Sequence, residues 1–292
     1  MTTIRTVAIV LAAGLGTRMG SVLPKVLHPL AGRPMLLQLF ETLEVISPDR
    51  TVVVTGPDME AVSEVVEGHR LKPDIAIQKE RLGTGHAVIA ARKSFESIDG
   101  TVLVLYGDTP LLKASTIQAL ISARHRDDDP AVVVLGFRPD QTGEYGRLIV
   151  DDDGALQKIV EARDATPDQL ITPLVNSGVL AIDAALLPTL LDHLGNDNVK
   201  GEYYLTDIVA LAITQGRTCA VVEGVQDEVM GINSKIDLSA AEAILQERLR
   251  LKAMEDGATL LDPSTVYFSW DTRLGCDVTI SPNVYFGPGV TV

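Results

Sequence analysis

The chain of 292 residues carries 39 acidic against 25 basic side chains, for a formal net charge of −14, and 46% of its residues are hydrophobic. That length can bury a sizeable core, in one large domain or two smaller ones. The acidity argues against general binding to nucleic acid or an anionic membrane, so a polyanionic substrate must be held by a few local cations or a metal ion.

Cys219 and Cys276 show no metal-binding or redox spacing and read as ordinary packed thiols of a reducing, cytoplasmic compartment. No apolar run reaches the roughly 18–20 residues of a membrane helix. Arg5 ahead of an apolar run would also suit a signal peptide. The run from Val7 to Ala13 passes directly into a charged glycine loop, however, which suits a first strand better.

Taken in order, "TVAIVLAA" is followed by a helix over "RPMLLQLFETLEVI", with Pro34 near its start. Next come "TVVVT", a helix over about 57–67, "DIAIQ", a helix from Thr84, "TVLVLYGD", a helix over about 115–126 and "AVVVLGF". Unbroken Val/Ile/Leu runs are strands buried on both faces, and their alternation with helices predicts a Rossmann-like, mostly parallel α/β sheet. Ligands of such sheets sit beyond the carboxyl ends of the strands.

From about residue 140 the pattern loosens. "GRLIVDDDGALQKIV" reads as a hairpin around Asp153-Gly154, "SGVLAI" as a strand and "LTDIVALAIT" as a helix. Residues 234–256 predict one long helix ended by Gly257. Beyond it the period becomes six. Val266, Thr272, Val278, Val284 and Val290 form one row, and Phe268, Leu274, Ile280, Phe286 and Val292 form a second. Two inward positions per hexapeptide predict the start of a β-helix. The expected division is residues 1–232, a linker helix over 233–258 and hexapeptide coils over 259–292.

The loop "LAAGLGTRMGSVLPKVLH" (11–28) fits neither familiar glycine motif. Met19 stands where a dinucleotide fingerprint needs its third glycine, and no Gly-Lys-Ser/Thr is present. What remains is backbone that can approach phosphates closely, with Arg18 and Lys25 as cations at its mouth. A tight strand-to-helix connection with solvated charges is the plainer alternative. Asp108 ends a buried run at the ligand edge, where a carboxylate suits Mg²⁺, although a turn or helix-capping role also fits. Asn233 precedes the long helix, where an Asn N-cap is common. "GTG" (83–85) reads equally well as a helix start.

The loop also resembles the signature of nucleotidyltransferases that make nucleotide-sugars, Leu-Ala/Gly-Gly-x-Gly-Thr-Arg-Met followed by Pro-Lys, here Pro24-Lys25. "QKERLGTGHA", "LYGDTPLL", "YGRLIV", "IVEARDAT", "VNSGV", "GEYYLTDI" and "VMGINSK" follow in order. Together they are similar to the uridyltransferase half of the bifunctional bacterial N-acetylglucosamine-1-phosphate uridyltransferase/glucosamine-1-phosphate acetyltransferase family, over about residues 5–292.

That resemblance implies Mg²⁺-dependent transfer of a uridylyl group from UTP to N-acetylglucosamine 1-phosphate, giving UDP-N-acetylglucosamine and pyrophosphate for cell-envelope precursors. It implies Arg18 and Lys25 on the phosphates, and Asp108 with Asn233 on the metal. Gln78, Gly83 and Thr84 would read uracil, with Leu11, Ala12, Gly14, Tyr106 and Gly107 completing the nucleotide site. Gly146, Glu161, Asn176, Tyr204 and Thr206 would surround the sugar, and the five histidines are expected to be non-catalytic. The chain departs from the family at Leu15, where relatives carry a basic residue, which throws more phosphate contact onto Arg18 and Lys25.

The family's acetyl-transferring site needs a full left-handed β-helix, so acetyl transfer is expected to be absent and trimerisation through that element is doubtful. Glucose 1-phosphate or dTTP as substrates are the enzymatic alternatives. A nucleotide-sugar-binding subunit with a decayed site is the other, and intact Arg18, Lys25, Asp108 and Asn233 argue against it.

Overall fold

The computed structural model describes residues 5–292; Met1–Ile4 of the expected first domain lie outside the described residues. A nine-stranded sheet organises the chain. Its strands are β1 (Arg5–Leu11), β2 (Arg50–Thr55), β3 (Asp74–Ile77), β4 (Gly100–Tyr106), β5 (Val132–Phe137), β6 (Arg147–Val150), β7 (Leu156–Val160), β8 (Val175–Asp183) and β9 (Cys219–Glu223). The spine runs β9-β5-β8-β4-β1-β2-β3, with the β6–β7 hairpin attached through β8.

Each unbroken apolar run serves two cores. Val7 and Ile9 of β1 face one side with Ala87 and Val88, while Ala8 and Val10 face the other with Leu36, Leu39 and Phe40. Strand side chains alternate faces, so only a run without polar residues survives burial on both sides. Helices α1 (Met35–Ile46), α2 (Glu60–Glu67) and α4 (Ala114–Arg124) cover the second face. Helices α3 (Thr84–Ala90), α5 (Leu187–Asp192) and α6 (Ile208–Thr214) cover the first.

The spine is mostly parallel, as expected, with one departure. β8 runs antiparallel to both β4 and β5. Between β5 and β8 the chain makes the antiparallel β6–β7 hairpin and only a one-turn helix, Pro167–Leu170, in place of a full crossover helix. A parallel return needs a crossover of a dozen or more residues, usually helical.

Helix α7 (Lys235–Glu255) follows, capped by Ser234, whose Oγ accepts from Asp237 N at 3.2 Å while Asp237 Oδ2 accepts from Ser234 N at 2.9 Å. The cap is therefore Ser234 and not Asn233. In residues 259–292, Tyr267 pairs in parallel with Tyr285 and Arg273 with Thr291, each eighteen residues further on. Val266, Phe268, Ile280 and Phe286 form a small core of this segment against Leu249 and Met254 of α7. Arg33 stacks on Trp270 at 4.1 Å, and Trp270 N donates to Ala31 O at 2.9 Å, tying this segment to the residues just before α1. Cys219 is buried as expected, but Cys276 is exposed, because it lies in a turn between coil positions.

Candidate active site

The exits of β1 and β4 lie side by side, since Leu11 pairs with Tyr106 and Gly107 N donates to Leu11 O at 3.0 Å. Beyond them opens a cavity of about 440 Å³. Leu11, Ala12, Gly14 and Lys25 line it from the first loop, and Tyr106 and Asp108 from the end of β4. Gln78, Gly83 and Thr84 line it from the loop leading into α3, and Asn233 from the segment before α7.

Three of these groups converge on one point. Lys25, on a 3₁₀ turn after Pro24, sends its Nζ to the Asp108 carboxylate and to Asn233 Oδ1, the latter at 3.1 Å. Asp108 does not cap α4, whose N-cap is Lys113. Its backbone carbonyl accepts from Ile232 N at 2.9 Å, which sets the Asn233 segment beside the β4 exit. With Ser234 doing the capping, Asn233 Oδ1 is left facing the ammonium. A carboxylate oxygen and an amide oxygen thus already share one positive charge, and both are hard oxygen donors of the kind that Mg²⁺ takes.

Gln78 is 4% exposed, and its Nε2 donates to Gly83 O at 3.0 Å while lying 3.2 Å from His86 Nδ1. A carbonyl can only accept, so the amide orientation follows from this bond. Gln78 therefore does not offer both donor and acceptor to a base. One of its two N–H donors goes to Gly83 O and the other faces His86 Nδ1, which must then accept, so Oε1 is the function left over. Gly83 caps α3 and Thr84 begins it, so "GTG" is a helix start as well as cavity wall. Thr84 Oγ1 in turn accepts from Leu205 N at 3.0 Å.

Gly107, Gly146, Glu161, Asn176, Tyr204 and Thr206 do not line this cavity. Several of them cluster beside Tyr106, whose ring lies against Gly178. Thr206 Oγ1 donates to Glu161 Oε1 at 3.1 Å, Asn176 N to Gly146 O at 2.8 Å, and Gly178 N to Asn176 Oδ1 at 2.9 Å. Burial raises the Glu161 carboxyl above its ordinary range, against the Thr206 hydrogen bond, which lowers it. Tyr106 is the partition. Burial pushes its hydroxyl well above the ordinary tyrosine range, and the charges of Glu161 and Asp108 add to the rise.

Arg18 is exposed on the 3₁₀ turn Thr17–Met19, which Met19 anchors in the interior, and it lies outside the cavity lining and makes no ion pair among the described residues. Leu15 beside it is 64% exposed. Sequence reasoning did not name Arg81, Tyr145, Ser177, Glu202 or Gly231, which also line the cavity. Each falls inside a quoted motif, so the motifs bracketed them without ranking them. Another acidic grouping, Glu41, Glu44 and His69, is answered by arginine, with Arg33 on Glu41 and Arg70 on Glu44.

With this geometry in view, the comparisons with known proteins become informative. The family model of the MobA-like NTP transferase domain matches residues 8–201. The chain belongs to that NTP transferase family. Among similar proteins, "Bifunctional protein GlmU" of Paramagnetospirillum magneticum is 58% identical over 97% of this chain and 62% of its own length. The protein of the same name from Rhodospirillum rubrum is 57% identical over 94% of this chain and 60% of its own length. The chain thus spans about three-fifths of the length of these relatives. The crystal structure of HddC from Yersinia pseudotuberculosis complexed with GMP-PN is 22% identical, with a TM-score of 0.58 over 80% of this chain and 97% of that one. It shows the same NTP-transferase fold. Among the described residues no helix is long and apolar enough to cross a membrane.

Proposed function

We propose that this NTP transferase moves a uridylyl group from UTP to N-acetylglucosamine 1-phosphate, releasing pyrophosphate and supplying a precursor for the cell envelope from the cytoplasm. The observation that carries the reading is the pairing, within one cavity, of the Lys25–Asp108–Asn233 cluster with the buried acceptor of Gln78. The choice of sugar rests on the family resemblance of the motifs, and no side chain here dictates it by chemistry alone.

In the proposed reaction, an oxygen of the sugar phosphate attacks the α-phosphorus and the bond to the bridging oxygen of pyrophosphate breaks. The second ionisation of a phosphate monoester falls near pH 6, so the nucleophile is already anionic at neutrality and no general base is required. The protein's contribution is in-line placement and neutralisation of leaving-group charge. Lys25 offers a compact charge at the phosphates, and Arg18 joins it only if its exposed side chain folds inward. Gln78 Oε1 accepts the uracil N3–H.

Asp108 and Asn233 would hold Mg²⁺, which, when bound, neutralises and orients phosphate oxygens. The oxygens that converge on the Lys25 ammonium are chemically suited to it. The cluster of Gly146, Glu161, Asn176, Tyr204 and Thr206 would receive the sugar across Tyr106. The division into a transferase domain over 1–232, a linker over 233–258 and the start of a left-handed β-helix over 259–292 belongs to the same proposal. Incubation with UTP, N-acetylglucosamine 1-phosphate and Mg²⁺, with pyrophosphate release and product mass as readouts, tests it. Turnover only with dTTP or glucose 1-phosphate would reject the substrate assignment.

A further inference from the structure

Arg81 has no role in the reading above, yet it lies in the wall of the cavity. Its Nε donates to Ala13 O at 2.8 Å, pinning the first turn of the glycine loop to the loop that carries Gln78. Its terminal nitrogens make no hydrogen bond or ion pair among the described residues. They pass over Gly56 at the exit of β2, where an added Cβ would collide with Nη2 and lie 3.0 Å from Cζ. The guanidinium is thus fixed by two neighbouring segments, with unspent donors three residues along the chain from Gln78. A free guanidinium has only donors, five in a rigid fork, and it cannot lose its charge at working pH.

We propose that Arg81 is a specificity-determining residue that donates to O4 of a uracil base, the carbonyl that cytosine replaces with an amino group. The inference rests on the uridylyl-transfer reading. Gln78 has only its acceptor left over, and Arg81 has only donors. An acceptor and a donor lining one cavity can complement the uracil edge, which presents N3–H beside O4. Cytosine reverses both positions, with an acceptor at N3 and an amino group beside it. Gln78 alone would reject cytosine by one unmade bond, and the pair rejects it by two. A site built to hydrogen-bond a polar group discriminates strongly, because the wrong partner leaves buried groups unpaired.

The test uses calorimetric binding of UTP and CTP, alongside kcat/KM for each, in the wild type, Arg81→Ala and Gly56→Ala. Gly56→Ala leaves the charge in place but moves the guanidinium, since the new methyl occupies its position. The wild type is expected to favour UTP over CTP, and both variants to shrink that ratio about tenfold or more. In both variants the KM for the sugar phosphate is expected to stay within about twofold.

Equal weakening of UTP and CTP in both variants would overturn the proposal, since a loop-bracing role or a phosphate contact would affect the two alike. An unchanged ratio would also overturn it. Binding is measured without turnover. A wild type that binds UTP selectively but transfers nothing therefore refutes the proposed reaction and leaves the Arg81 comparison intact.

Discussion

Gly178→Ala probes the partition between the two halves of the site. Gly178 has φ of +92°, and a Cβ there would lie 2.6 Å from Tyr106 Cε2 and 3.1 Å from Cζ. Ordinary contact begins near 3.4 Å, so the ring must move by most of an ångström. The ring lines the cavity, so such a movement displaces the cavity wall. The positive φ costs an alanine about 1–2 kcal/mol, and overpacking adds about 1–3 kcal/mol. The expected loss of about 2–5 kcal/mol lowers Tm by roughly 2–4 °C for each kcal/mol in a chain of this size. Urea unfolding at constant m-value measures it. Displacement of the ring should also raise KM for both substrates, because Tyr106 lines the nucleotide cavity and borders the Glu161 cluster. A loss below about 1 kcal/mol with unaltered kinetics would show that the ring does not lie against Gly178 as described.

Three further outcomes are expected. Asp108→Ala should lower turnover by about a thousandfold or more while leaving the fold intact, because the cation position loses its only carboxylate; near-normal turnover with Mg²⁺ would end the metal assignment. Glu161→Gln should raise Tm at neutral pH. Burial lifts the native carboxyl above its ordinary 4.5, so native stability falls as pH rises through that range and stays reduced above it. The advantage of the variant should close by about pH 4, and an advantage independent of pH would contradict the burial argument. Cys276 should react with a thiol reagent in the folded protein, whereas Cys219, buried and with its thiol pushed up to about 12, should react only on unfolding. Two thiols reacting at once under native conditions would refute this.

Much of the fold was legible because burial on both faces leaves a plain trace. Val7 to Val10 and Val102 to Leu105 contain no polar residue, and each such run became a central strand. The reversal of β8 left no comparable trace, since composition records burial and not direction. The capping of α7 was readable but overlooked. "SKID" (234–237) offers a side-chain acceptor three residues before an acid, and the neighbouring Asn drew attention away from it.

The Gln78 orientation was not readable at all, because its donor is spent on Gly83 O through a loop closure that exists only in three dimensions. Arg81 follows Lys79 and Glu80, and nothing in that local pattern distinguishes it from a solvated charge. Lys25 and Asp108 were legible from the residues and Asn233 as a ligand only through the resemblance, and their meeting depends on the Ile232–Asp108 backbone bond that joins distant stretches of chain.

The reversed strand has a consequence for how such a pocket can diversify. Because β8 points the other way, its first residues, Val175 to Gly178, arrive at the same rim where β1 and β4 leave off. One rim is therefore furnished from both kinds of strand terminus. The intervening hairpin hangs outside the spine, where its length and sequence can drift. A new acceptor could in this way be accommodated by remodelling residues 138–174, with the nucleotide-facing exits left untouched.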